Sequence, residues 1–236
     1  SLPLIRMDET SVNYIIPKIS FRINPGDMKN HSADSRLITT DNIFDINRLG
    51  LNDSYESGKS VTFGIEFKKE NKVDIDKYLE VKFASILRDK EEDKIPSSST
   101  ANRTTSNLFG SIENSFSNFF KLNYDFAIDN DFNRFEYNSV EAEFKVNNFV
   151  TKFNFIEKDG EIGDSNTLEN SSKYIVDDNN SLIFKTRRNR KISLTEYYDL
   201  VYEYQNDCLT AGINYRKTYY QDRDLKPKED LFFTIT

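Results

Sequence analysis

The chain has 236 residues, a hydrophobic fraction of 37% and a net charge of −7, so it lacks the basic balance of a general nucleic-acid binder. Mean hydropathy is −0.67 and no apolar run approaches the ~18 residues of a membrane-spanning helix. A transmembrane barrel stays open, because its polar inward residues dilute the average. Aromatic residues make up 14%, all Phe and Tyr with no Trp, and Tyr can occupy an interfacial belt.

Taken in chain order, the opening SLPLIRMDET has neither a charged leader nor an apolar core, so no signal peptide is read there. The absence of an initial Met and the unpunctuated FFTIT ending read as a piece of a longer chain. Thirteen strands are predicted, near 13–23, 42–48, 59–68, 78–87, 107–113, 120–128, 136–146, 149–156, 170–176, 181–189, 197–205, 208–219 and 231–236. The evidence is alternation at period two. Phe63, Ile65 and Phe67 share a face with Val61, opposite Glu66 and Lys68. Val81 and Phe83 oppose Glu80 and Lys82. Leu122, Tyr124, Phe126 and Ile128 oppose Lys121 and Asp125; Phe144 opposes Glu141, Glu143 and Lys145. Phe153 stands opposite Lys152 in the same way. Near the C-terminus Leu209, Ala211, Ile213 and Tyr215 alternate with polar positions, and Glu203 and Arg216 fall on the polar side. No segment carries a helical stripe.

The connections also alternate. NSFSN (114–118), NN (147–148), DDNN (177–180) and QND (205–207) are turn-like, and KENKVDIDK (69–77) is the longest on that side. Between them lie RDKEEDKIPSSSTANRTTS (88–106), EKDGEIGDSNTLE (157–169) and QDRDLKPKED (221–230). Within the first of these, 88–99 reads as an exposed, mobile loop. Short turns at one end and long loops at the other fit periplasmic and extracellular sides of an outer-membrane barrel. Strand lengths near the ~9–11 residues that a bilayer requires point the same way. The predicted fold is all-β: an antiparallel up-and-down transmembrane barrel portion, forming one domain over 1–236. Its lipid-facing set is Phe63, Ile65, Phe67, Val81, Phe83, Leu122, Tyr124, Phe126, Phe144, Phe153, Leu209, Ile213 and Tyr215. Its lumen-facing set is Glu66, Lys82, Lys121, Asp125, Glu143, Lys145, Lys152, Glu203 and Arg216. Lys217 breaks the apolar row near a strand end, where it could reach the interface.

Catalytic chemistry has little to work with. His31 is the only histidine, in a polar loop with serines and Asp34 nearby, and it reads as a loop residue rather than half of a Ser–His pair. One His and one Cys cannot build a zinc site, no glycine-rich phosphate loop occurs, and no cofactor is implied. The acids of 157–164 lack the spacing of a calcium loop. Lys185, Arg187, Arg188, Arg190 and Lys191 cluster at a strand top and could contact anionic phosphates, although a solvated basic loop explains them as well. Cys208, the one cysteine, sits at a tight turn, either as a free thiol or as half of a bond to a cysteine elsewhere.

Three stretches together resemble one family. FRINPGDMKN (21–30) is similar to an aromatic-Arg-x-x-Pro-Gly-Asp-Met pattern that follows a strand. LIFKTRRNRKISLTEYYDLVYEYQNDCLTAGINY (182–215) and YYQDRDLKPKEDLFFTIT (219–236) resemble, in unbroken order, the end of the same domain. The family is the lipopolysaccharide-assembly protein LptD, and the resemblance is to its C-terminal barrel domain, here roughly the C-terminal half. It implies a very large outer-membrane barrel that takes lipopolysaccharide from a periplasmic bridge protein through an N-terminal domain. It also implies delivery to the outer leaflet, contact with outer-membrane lipid and an LptE-type lipoprotein plug within the barrel, without enzymatic chemistry. It further implies that Cys208 bonds a cysteine of that N-terminal domain. The family typically carries adjacent cysteines at this turn, whereas Asp207 and Leu209 flank a single one here. A porin or receptor channel, and a secreted soluble β-sandwich, are the alternatives.

Overall fold

The computed structural model describes residues 1–220 and 226–235. Thirteen strands form one antiparallel sheet in sequence order. They are β1 (Leu4–Met7), β2 (Ser11–Asn24), β3 (Gly58–Asn71), β4 (Tyr78–Arg88), β5 (Leu108–Ser117), β6 (Phe120–Ile128), β7 (Phe135–Val146), β8 (Phe149–Lys158), β9 (Ser165–Ile175), β10 (Asn180–Asn189), β11 (Leu194–Gln205), β12 (Thr210–Thr218) and β13 (Lys228–Ile235). β1 and β13 stand at the two ends of this order, with no pairing between them among the described residues. No helix among the described residues is long and apolar enough to cross a membrane.

The strand count matches the expectation, but its membership differs. The segment 42–48 is not a strand. Asn42 Oδ1 accepts the Thr39 amide, and Asn47 brackets Leu51 through both ends of its own amide. These side chains satisfy the backbone locally, and successive turns replace a ladder. In its place stands β1, which four residues without alternation could not announce; its pairing to β2 runs from Met7↔Val12 to Leu4↔Ile15. β2 tolerates Pro17 for a geometric reason. Pro17 O accepts the Leu2 amide at 3.4 Å, so the proline's missing N–H also points away from β3. The β2–β3 ladder therefore runs unbroken from Ser11↔Asn71 to Asn24↔Gly58.

The longest connections, 25–57 and 89–107, fall at one end, but the remaining lengths overlap between the two ends, so the expected segregation holds only in part. Residues 8–10, 72–77, 118–119, 147–148, 176–179 and 206–209 close one end. Residues 25–57, 89–107, 129–134, 159–164 and 190–193 close the other. The 157–169 loop shrinks because β8 and β9 extend into it, and β5 absorbs most of the 114–118 turn. Positions 221–225 of the predicted last loop, and Thr236 of the last strand, lie outside the described residues.

The chain divides into two compact units. The first comprises Ser1–Ser117, Asn123–Ser139 and Glu157–Asp164; the second comprises Asn118–Leu122, Val140–Ile156 and Ser165–Thr236. The buried core belongs to the first. Met28, Ile38, Ile43, Leu49 and Leu51 of the 25–57 segment pack with Ile95 and Ala101 of the 89–107 segment. Beneath them lie Ala84 and Ile86 of β4, Phe109 of β5 and Ala127 of β6. The segment 88–99, read from sequence as exposed and mobile, is exposed at Asp89, Lys90, Glu91, Asp93 and Ser97 but buried at Arg88, Ile95, Pro96 and Ser99. Ile95 is 1% exposed and Ser99 is fully buried, because its run of small residues fits under the neighbouring segment and Ser98 Oγ accepts the Arg36 amide. Among the described residues of the second unit no comparable core forms: burial stays intermediate along most strands.

Candidate functional site

The ladders sort side chains onto two faces. On one, Ile19↔Phe63↔Ser85 and Pro17↔Ile65↔Phe83 align, followed by Ile15↔Phe67↔Val81. In the second unit Tyr174↔Leu182↔Tyr202↔Ile213↔Phe233 and Phe184↔Leu200↔Tyr215↔Leu231 align likewise. Most of these side chains are exposed, Phe63 and Ile65 at 47% and 48%. Each large apolar side chain left in water forgoes about 1.5–3 kcal/mol of burial energy, and an uncovered row this long has the character of an interaction surface.

Most of the predicted apolar set falls on this face, with two refinements. Phe126 is nearly buried within it: the ring lies over Gly110, where any Cβ would collide, and Tyr124, Phe83 and Phe135 ring it at centroid distances of 5.2–6.1 Å. Leu209 lies outside β12, in the turn. Phe144 packs on Phe120 at 4.7 Å, Phe153 is exposed, and Leu122 shares the parity of Tyr124. Lys217 stands at the rim of this face, neutralised by Glu229 of β13 at 2.8 Å.

The opposite face carries charge in matched pairs. In the first unit Lys18 meets Glu66 at 2.6 Å, and Lys82 bridges Glu80 at 2.7 Å and Asp41 at 3.2 Å. In the second, Lys152 meets Glu143 at 2.6 Å, Lys173 meets Glu203 at 3.3 Å, and Arg216 clasps the buried Asp199 with two bonds of 2.6 Å. Of the remaining predicted polar positions, Lys121 and Lys145 are exposed and Asp125 is half-buried.

Where the 25–57 segment crosses the charged face of the first unit, it is fastened by a centre that sequence reading did not single out. Glu56 is bonded by three arginines from three elements. Arg48 donates to it at 2.5 and 2.7 Å, Arg22 of β2 at 2.9 Å, and Arg88 of β4 makes a further bond. The side chains of Glu56, Arg48 and Arg88 are at most 4% exposed. Arg48 also reaches Thr62 at 2.9 Å, and Arg22 reaches the Asp45 carbonyl at 2.6 Å. Arg22 belongs to the FRINPGDMKN stretch, whose other residues act alongside. Gly26 N donates to Asn24 Oδ1, Met28 enters the core, and Asp27 pairs with Lys94. The Lys94 ammonium, through its hydrogen bond and then its charge, holds the Asp27 carboxyl below the ordinary range.

His31 occupies the same segment. Nδ1 lies 3.0 Å from Asp34, while Nε2 lies 3.1 Å from Ser54 Oγ and 3.1 Å from Asp53. With a carboxylate at each nitrogen, the ring suits a cross-link within the loop better than the free Nε2 base that would activate Ser54.

The predicted basic cluster is not one site. Lys185 and Arg187 alternate onto the charged face, where Arg187 is flanked by Glu169 at 3.4 Å and Glu196 at 3.0 Å. Arg188 pairs in register with the exposed Leu168, on the apolar face. Arg190 rests over the Phe155 ring at 5.4 Å, and Lys191 lies in the 190–193 turn. Cys208 is exposed at the end with the short connections, held by Asn206 Oδ1, which accepts the amides of Cys208 and Leu209 at 3.0 and 2.8 Å.

A family model described as LptD, LPS transport system D, matches residues 3–189. The match takes in β1 through β10, with the Arg22 stretch and the centre around Glu56, and ends before the Cys208 hairpin. No curated protein matches the chain.

Glu56→Gln keeps the shape of that centre and removes its only anion. Losing one partner of a buried ion pair costs about 3–5 kcal/mol. The variant is expected to unfold at lower urea and to be cut faster by protease within 25–57; a wild-type cleavage pattern would remove the fastening role.

Proposed function

We propose a function from one premise: the chain belongs to the LptD family. That family acts in lipopolysaccharide transport at the outer membrane. Our reading is that this chain forms part of a closed outer-membrane barrel and helps deliver lipopolysaccharide into the outer leaflet. Lipopolysaccharide would arrive from a periplasmic bridge protein by way of an N-terminal domain, and an LptE-type lipoprotein would sit against the charged face. On this reading the row through Phe63, Ile65, Phe83, Ile213 and Tyr215 meets lipid. Glu66, Lys82, Glu143, Lys152, Glu203 and Arg216 then face the lumen. The connections 118–119, 147–148, 176–179 and 206–209 lie in the periplasm.

One observation carries the reading: apolar rows run in register on a face that nothing covers among the described residues, opposite a face of paired charges. A soluble sandwich would cover such a row with a second sheet. In a bilayer the row needs no cover, and the backbone is satisfied by the ladders themselves.

Depletion of the full-length protein in its host is expected to lower lipopolysaccharide at the cell surface, measured by surface labelling. Unchanged surface labelling with impaired uptake of small solutes would favour a channel instead. Ile65→Arg, near the middle of β3, is expected to destabilise the protein in lipid vesicles by about 2–4 kcal/mol, read from its urea midpoint. Asn123→Arg, on the charged face, should leave that midpoint nearly unmoved. Equal effects at both positions would remove the assignment of faces.

For Cys208 we propose a disulfide to a cysteine of the N-terminal domain, in the oxidising periplasm. The exposed thiol at the short-turn end supports it. Non-reducing gels of the full-length protein are expected to show a faster species that disappears with reductant and in Cys208→Ser. If the Cys208→Ser variant migrates as wild type under both conditions, the bond does not exist.

A further inference from the structure

We propose that a cleft on the charged face of β7–β11 binds a neutral saccharide. The cleft, about 400 Å³, lies within the second unit. That volume suits a small ligand, at the lower end of the ~300–1,000 Å³ of small-molecule sites. The proposal deepens the functional reading above and rests on the charged face being the lumen.

Its polar groups are unusual on this face because several are unspent. Lys185 of β10 and Ser171 of β9 stand directly opposite in the ladder, and neither side chain has a partner among the described residues. Asn154 of β8 lines the same wall, and its buried Oδ1 accepts no hydrogen bond among the described residues. A buried acceptor left without a bond costs free energy that rotation onto a bound hydroxyl would recover. Tyr197 of β11 closes one side, its ring held by the Arg216 guanidinium 5.0 Å from the centroid.

Charge decides the class of ligand. Lys152 is neutralised by Glu143, and Glu169 lies beside Arg187. What remains in the wall is the Lys185 ammonium against the Glu141 carboxylate, with no positive surplus for a phosphate. An ammonium, a hydroxyl, an amide and a carboxylate around an aromatic wall instead match vicinal hydroxyls, each of which donates and accepts.

The test uses full-length protein in detergent, with maltotriose and glucose 6-phosphate as probes and saturation-transfer NMR as the readout. Wild type is expected to transfer saturation to maltotriose, with glucose 6-phosphate binding no more tightly. Lys185→Ala is expected to weaken maltotriose about tenfold, the scale of one hydrogen bond to a charged group. Lys185→Arg should retain most of the binding. Ser171→Val supplies a second, uncharged variant with the same expected direction should Lys185→Ala fold poorly. No transfer to maltotriose, unchanged binding in Lys185→Ala and Ser171→Val, or tighter binding of glucose 6-phosphate would each overturn the proposal. Maltotriose binding with normal surface lipopolysaccharide after depletion would keep the cleft and remove the transport reading. Lowered surface lipopolysaccharide after depletion, with no maltotriose binding, would do the reverse.

Discussion

Everything in this molecule hangs on a side-chain period of two, held in register from β1 to β5 and again from β9 to β13. Phe63, Ile65 and Phe67 reach their face only because their ladder partners do so at the same step, from Ile15 on β2 to Val81 on β4. A slip of one residue in either ladder would carry Phe83 among the acids and Lys82 among the aromatics. The penalty is paid at every rung, so register and the sorting of charge are one constraint. The ion pairs follow from it. Lys18–Glu66 and Arg216–Asp199 join neighbouring strands on the same face, where alternation leaves them side by side.

The same constraint explains why the only dense core among the described residues sits beside the charged face in the first unit. The long connections leave from one end, and the 25–57 segment, though mostly polar, carries enough large apolar side chains to bury a cluster of them. Ile38, Ile43, Leu49 and Leu51 find Ala84, Ile86 and Phe109 at the edge of the charged face. Small residues make that possible: Gly64 leaves room for the Phe44 ring, which a Cβ would strike. Short connections are too brief to fold back over the sheet, and their apolar residues, such as Val73, Ile75 and Phe119, stay exposed.

Strands whose two faces differ in polarity were legible in the sequence because each residue of SVTFGIEFK votes independently for the same pattern. The centre around Glu56 was not legible. Its members lie at 22, 48, 56 and 88, brought together by a loop path with no periodicity to reveal it. The one available signal was Arg22 inside the Pro-Gly-Asp-Met stretch, which points to a fixed structure without naming a partner. The 42–48 error has a similar origin: a short apolar stretch of Ile43, Phe44 and Ile46 mimics a strand, while Asn42 and Asn47 hold their own turns. The basic cluster misled for the opposite reason. Adjacent arginines in sequence point to opposite faces of a strand, so Arg187 and Arg188 cannot share one anion.

Three arginines on one carboxylate leave a surplus of positive charge in a dry place, which is costly unless each guanidinium spends its donors elsewhere. Here they do. Arg48 reaches the hydroxyls of Thr62 and Ser60, Arg22 the carbonyls of Asp45 and Ile46, and Arg88 the carbonyls of Ser57 and Lys90. Only the five-donor fork can serve a carboxylate and two further acceptors at fixed angles, so lysine could not replace these residues. Each extra acceptor belongs to a strand end or to the 25–57 or 89–107 segment. The surplus charge is therefore what ties those segments to the sheet: the carboxylate gathers the arginines, and their leftover donors gather the chain.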